Sequence, residues 1–126
     1  MEEVENHIRG WLLSQSDFTL LFLDQDAVVA VSGFSRRQVF LGTDLVQGWI
    51  LDVIAIDLHR QGQGLASDVY AGTFDAMKQA DPDRVVVSAR IHTQNLASRS
   101  AAIRAGIHAL RPISAEYWEF LGTTPP

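Results

Sequence analysis

The chain has 126 residues, of which 47% are hydrophobic and 20% charged, with a formal net charge of -5 and no cysteine. That length and balance are those of one globular domain, residues 1–126, able to bury a core without staples. The missing cysteines exclude disulfides, thiolate zinc sites and a covalent acyl-cysteine intermediate, and the acidic balance argues against nucleic-acid binding.

At the start, Val4, Ile8, Trp11 and Leu12 recur at helical spacing behind Glu2, Glu3 and Glu5, which predicts a helix over 2–13. Two β-like runs, FTLLFLD and AVVAVSGF, meet at Asp24-Gln25-Asp26 and predict an antiparallel hairpin. After a Gly/Thr/Asp turn, 49–56 predicts a strongly apolar strand. A helix follows over 65–80, with Ala66, Val69, Tyr70, Thr73, Phe74 and Met77 on one face, and Asp81-Pro82-Asp83 ends it. A strand over 84–91 leads to a short helix over 96–105 closed by Gly106. Short β runs around 108–113 and 117–121 finish the chain. The order α-β-β-β-α-β-α-β-β predicts an α/β (α+β) domain, a mixed sheet with helices on its faces. No apolar run approaches membrane length, and the acidic start MEEVEN is unlike a signal peptide, so a cytoplasmic protein without a membrane partner is expected.

Asp57 to Tyr70 reads DLHRQGQGLASDVY and joins the apolar strand to the long helix. The first free N–H groups of a helix favour anions, and glycines let the backbone close around a phosphate. A tight turn of purely geometric purpose explains Gly62 and Gly64 about as well. A Rossmann site does not: its third glycine would fall at Ser67, and antiparallel runs precede the turn.

Gln61, Gly62, Gln63, Gly64, Leu65 and Ala66, preceded by Ile54-Ala55-Ile56, resemble the acetyl-coenzyme A motif of the GNAT superfamily of N-acetyltransferases. A second patch, NLASRSAAIRAGI, resembles the family's late helix through Asn95, Ser98, Gly106 and Ile107. The resemblance implies a mostly antiparallel central sheet flanked by helices, here without the family's usual first strand and helix. It leaves the acceptor side either open or completed by a second copy as a homodimer.

The resemblance also implies acetyl-CoA as co-substrate. Backbone N–H groups of Gly62 to Ser67 would hold its pyrophosphate, and the edge of the Ile54–Ile56 strand its pantetheine arm. An N–H near Ile56 would polarise the thioester carbonyl. Asn95 would contact the cofactor, although a helix N-cap suits it equally.

Direct attack by an amine, of a small molecule or a peptide, needs a base. Asp52, in an apolar strand where burial would raise its pKa, is the first candidate; a buried acid paired with an arginine is the alternative. His92, close to Asn95, is the second. Tyr117 or water would protonate the departing thiolate, because Ala102 stands where many relatives carry a tyrosine, and Arg90 where some carry a glutamate base. His59 lies in the turn itself, and Glu116 and Glu119 flank Tyr117-Trp118.

No metal site is expected. A catalytically silent coenzyme A-binding module is the rival function, supported by Ala102 and Arg90. A third reading is an oligomeric scaffold whose glycines are purely structural, with Trp11, Phe34 and Phe40 exposed for subunit contacts.

Overall fold

In the computed structural model of the protein, residues 17–60, 62 and 64–125 are described. Six strands and two helices follow in the order β1 (Asp17–Asp24), β2 (Ala27–Leu41), β3 (Asp44–Ile56), α1 (Leu65–Ala80), β4 (Val86–His92), α2 (Leu96–Arg104), β5 (His108–Pro112) and β6 (Tyr117–Thr123). A short 3-10 turn, Leu58–Arg60, precedes α1. The helix expected over 2–13, and Trp11 with it, lies outside the described residues.

The strands form one sheet in the order β1-β2-β3-β4-β6-β5. All neighbours run antiparallel except β3 and β4, which are parallel. β1 and β2 turn at Gln25-Asp26, both with positive φ (51° and 71°), the backbone of a tight primed hairpin turn made without glycine. The second hairpin is longer than the sequence suggests: β2 runs on to Leu41 and β3 starts at Asp44, so the expected turn stands but its flanks are strand. Residues 35–41 lack a clean alternation because two arginines and a glutamine sit among the apolar positions.

Both helices pack on one face of the sheet. Tyr70, Phe74 and Met77 of α1 and Ala101 and Ala102 of α2 join Phe34, Trp49, Leu51, Val87, Ala89, Ile91 and Phe120 in a single core. Phe34 therefore belongs to the interior, 2% exposed and stacked on Phe18, which corrects its expected place on a subunit surface. The strand alternates, so Phe34 follows Ser32 onto the helix face; Phe40, beyond the end of β1, is exposed as expected. Buried polar groups are satisfied within this core, as where Thr73 donates to Ser32 at 2.7 Å.

α2 ends as its sequence indicates. Gly106 has φ 92°, its N–H donates to the Ile103 carbonyl, and the Ile107 N–H donates to the Ala102 carbonyl, the paired bonds of a Schellman motif. Among the described residues, no helix is long and apolar enough to cross a membrane.

Candidate functional site

β3 and β4 pair over Gly48–Leu51 and Val86–Ala89 and then part. Beyond Leu51, β3 stays with β2 as far as Ile56, while β4 stays with β6 as far as His92. The fork leaves the 52–55 stretch of β3 without a β4 partner in the sheet.

Into this fork opens a cavity of about 280 Å3, walled by Ile54 and Ile56, the turn at Gly62 and Gly64, the start of α1, and α2 from Asn95 to Arg104. Gly62 and Gly64 have φ 81° and 78°. A Cβ built on either would meet nothing within 4 Å, so their glycines answer to backbone shape and face open space. Gly64 is also the N-cap of α1 and supplies no side-chain cap. Among the described residues, the first N–H groups of that helix thus have no side-chain cap, and the helix dipole adds positive potential there.

Of the residues read as cofactor-binding, the cavity brings together Ile54, Ile56, Gly62, Gly64, Leu65, Ala66, Asn95 and Ser98. Ala55 and Ser67 do not line it: Ala55 alternates away from its two isoleucine neighbours, and Ser67 is exposed on α1. Gln61 and Gln63 lie outside the described residues. The sequence reading missed Arg60, Tyr70, Ala97, Ser100, Ala101 and Arg104 as wall residues. Helical spacing could have supplied most of them, since Tyr70 is one turn beyond Ala66, and Ala101 and Arg104 continue the face of Ser98.

Asn95 caps α2, its Oδ1 accepting from the Ser98 N–H at 3.1 Å. Tyr70, 3% exposed, has its hydroxyl pKa raised by burial against an opposing pull from Ser98, so the phenol is neutral at pH 7. Arg60 is tied to Asp24 of the first hairpin. Arg104 extends from the far end of α2, so the cavity has cations at two edges.

The candidates for proton transfer sit on the other face of the sheet. Asp52 is the extra residue of a β-bulge, where Gly33 faces Val53 and Phe34 faces Leu51. It is exposed, which corrects the expectation of a buried acid, because the bulge turns it off the helix face. Its partner is also not an arginine: the Ser35 hydroxyl donates to Asp52 Oδ2 at 2.9 Å. Partial desolvation of the carboxylate raises its pKa, opposed by the Ser35 bond and by Arg37, with Asp17 adding to the rise.

His92 and Tyr117 pair across β4 and β6, their rings edge-to-face with centroids 5.2 Å apart. His92 Nδ1 accepts from the Gln94 N–H at 3.1 Å, which places the proton of the neutral ring on Nε2 as an outward donor. Asp52 lies on one arm of the fork and this pair on the other. His59 is exposed beside the glycine turn, its N–H donating to Asp57. Glu119 is held by Arg111, and the Glu116 N–H donates to Ser114 in the turn before β6.

A protein of the GNAT family from Desulfovibrio desulfuricans superposes over 98% of this chain and 78% of its own, with TM-score 0.73 at 16% identity. The chain has the GNAT acetyltransferase fold. An acetyltransferase of the GNAT family from Streptococcus pneumoniae gives TM-score 0.71 at 16% identity over 98% of this chain and 76% of its own. The NatC complex bound to Gag peptide and CoA gives TM-score 0.71 at 9% identity, over 99% of this chain and 80% of the other. At such identities the likeness establishes the GNAT fold alone. No protein-family model matches the chain, and no curated protein matches it by sequence.

Proposed function

We propose that this protein is an acetyl-CoA-dependent N-acetyltransferase that passes the acetyl group directly to an amine. One observation carries the reading: two left-handed glycines run into the uncapped N-terminus of α1 at the fork of β3 and β4, beside a cavity that continues along α2. That cradle suits a pyrophosphate, with backbone N–H groups as donors and Arg60 and Arg104 as nearby cations. The edge of β3 at Ile54 and Ala55, beyond the last β4 pair, suits an extended pantetheine arm, and the GNAT fold agrees with both.

Acetyl-CoA supplies an activated thioester acyl group. The amine nitrogen forms the C–N bond as the C–S bond breaks, and sulfur leaves with the electron pair. Asp52 accepts the ammonium proton before attack, and Tyr117 or water returns a proton to the thiolate; His92, with Nδ1 taken by the Gln94 N–H, offers Nε2 as a donor rather than as the base. Loss of a dedicated donor is tolerable, because a thiol with pKa near ~8.5 is a good leaving group.

A thermal melt with acetyl-CoA at a hundredfold above Kd is expected to show about 2.7 kcal/mol of stabilisation, a shift of several degrees. Gly64→Val fills the open space and is expected to abolish that shift; an unchanged shift would show that the cradle is misassigned.

A catalytically silent CoA-binding module is a second reading, favoured by Ala102. It is 0% exposed, and no polar group stands on α2 where the thiolate's proton donor would sit. Turnover over a panel of amines, absent with cofactor binding intact, would select it.

A further inference from the structure

Asp52 and Arg90 are the first residues beyond the last β3–β4 pair, Leu51 with Ala89, so they stand level with each other on the two arms of the fork. Paired strands are about 4.8 Å apart, and these arms diverge from that spacing. Both residues leave the helix face. Ala89 and Ile91 on either side of Arg90 are core residues, so Arg90 alternates to the opposite face, where Ser35 also holds Asp52.

The two charges do not neutralise each other. Asp52 takes its hydrogen bond from Ser35, and Arg37 is the cation acting on it. Arg90 is directly across from Glu119 on β6, yet Glu119 Oε2 accepts from both Nε and Nη2 of Arg111, at 3.3 and 3.2 Å. Arg90 is exposed, and its side chain makes no hydrogen bond or ion pair among the described residues. This face of the fork therefore carries a carboxylate held by Ser35 on one arm and, level with it on the other, a guanidinium uncommitted among the described residues, with His92 and Tyr117 one step further along.

We propose that the acceptor is a small amine that also bears a carboxylate, an amino acid or close analogue, with Arg90 binding its carboxylate while its nitrogen lies on the Asp52 side. This rests on the acetyltransferase reading and names its substrate class. A guanidinium offers a planar pair of donors that matches a carboxylate, and an unpaired one at a site rejects the analogue lacking that group. An acceptor with amine and carboxylate a few bonds apart spans the two arms, and a diamine would set a second cation against Arg90.

The test compares matched pairs, such as lysine with cadaverine and phenylalanine with phenethylamine, by kcat/KM at saturating acetyl-CoA. The acid-bearing member is expected to be preferred at least tenfold. Arg90→Gln should collapse that ratio toward unity, and Arg90→Lys should restore part of it. Arg90 is exposed, so the variants should fold; a retained melting shift with acetyl-CoA confirms it. A preference for the decarboxylated member, a ratio unmoved by Arg90→Gln, or acetyl-CoA binding with neither member acetylated would each overturn the proposal while leaving the cofactor site standing. Absence of any acetyl-CoA shift in the wild type would instead overturn the acetyltransferase reading, and this proposal with it.

Discussion

At the scale of single residues, Asp52 carries the clearest pH dependence. Its pKa is raised in the folded protein, chiefly by desolvation, so folding favours its protonated form. Its contribution to stability is therefore greatest below the ordinary carboxylate range and is lost as pH rises through the folded value. Asp52→Asn keeps an acceptor for Ser35 and removes the partly desolvated charge. It should melt higher than wild type at pH 7 and show a flatter pH profile between pH 3 and 7. As a base Asp52 must be ionised, so the acidic limb of kcat/KM should lie above the usual carboxylate range and vanish in the same variant. A variant less stable at pH 7 would mean that the charge is compensated by Arg37. The place of Asp52 in an apolar strand was legible in the sequence, but its exposure was not, because a bulge depends on the register of two strands and leaves no mark in one.

At the scale of elements, the start of α2 must be rigid for Asn95 and Ser98 to serve as a wall of the cavity. Asn95 was legible as a cap, which the structure shows, and its proposed cofactor contact separates from that role experimentally. Asn95→Ala loses the bond to the Ser98 N–H and should cost about 1 kcal/mol. Asn95→Ser retains a capping oxygen and should leave stability within a few tenths of that of wild type. If the side chain also touches the cofactor, both variants should weaken acetyl-CoA binding several-fold; if it only caps, the serine variant should bind normally. Calorimetric melting and ligand titration on the pair decide this. Helix ends were legible because capping is local: Asn95, Gly106 and Asp81-Pro82 each act within a turn of the chain. The long second hairpin was not, since Arg36, Arg37 and Gln38 become strand through pairing with Gln47, Gly48 and Trp49 on the other side of the turn. The wall residue Arg60 belongs to no motif and reaches the cavity from the 3-10 turn just before the glycines, whereas Arg104 comes to it along the Ser98 face of α2.

At the scale of the whole molecule, the sheet consists of two three-stranded halves, β1-β2-β3 and β4-β6-β5, joined at one parallel seam that ends at the fork. The width of the fork, and so the shape of the cavity, follows from how tightly that seam is closed. Gly48 sits where it begins. A Cβ there would lie 2.8 Å from Val39 Cγ2 and 2.9 Å from the Val86 carbonyl oxygen, so glycine is required by close approach of three strands. Arg84 fastens the same point by donating to the Gly48 carbonyl at 2.9 Å, while the Trp49 indole donates to the Arg84 carbonyl at 2.8 Å. Gly48→Ala should therefore destabilise the protein by about 1–3 kcal/mol, the usual cost of overpacking. Because β4 must back away, it should also weaken acetyl-CoA binding, although Gly48 touches no part of the cavity. Adding Val39→Ala relieves the side-chain clash but not the one with backbone. The double variant should then recover only part of the affinity, even after its own loss of core volume is allowed for by measuring Val39→Ala alone. Full recovery of binding would mean that β4 had not moved and that the seam does not set the fork. Partial recovery, with faster hydrogen exchange at the amides of 86–89, would tie the cofactor site to the joint between the two halves.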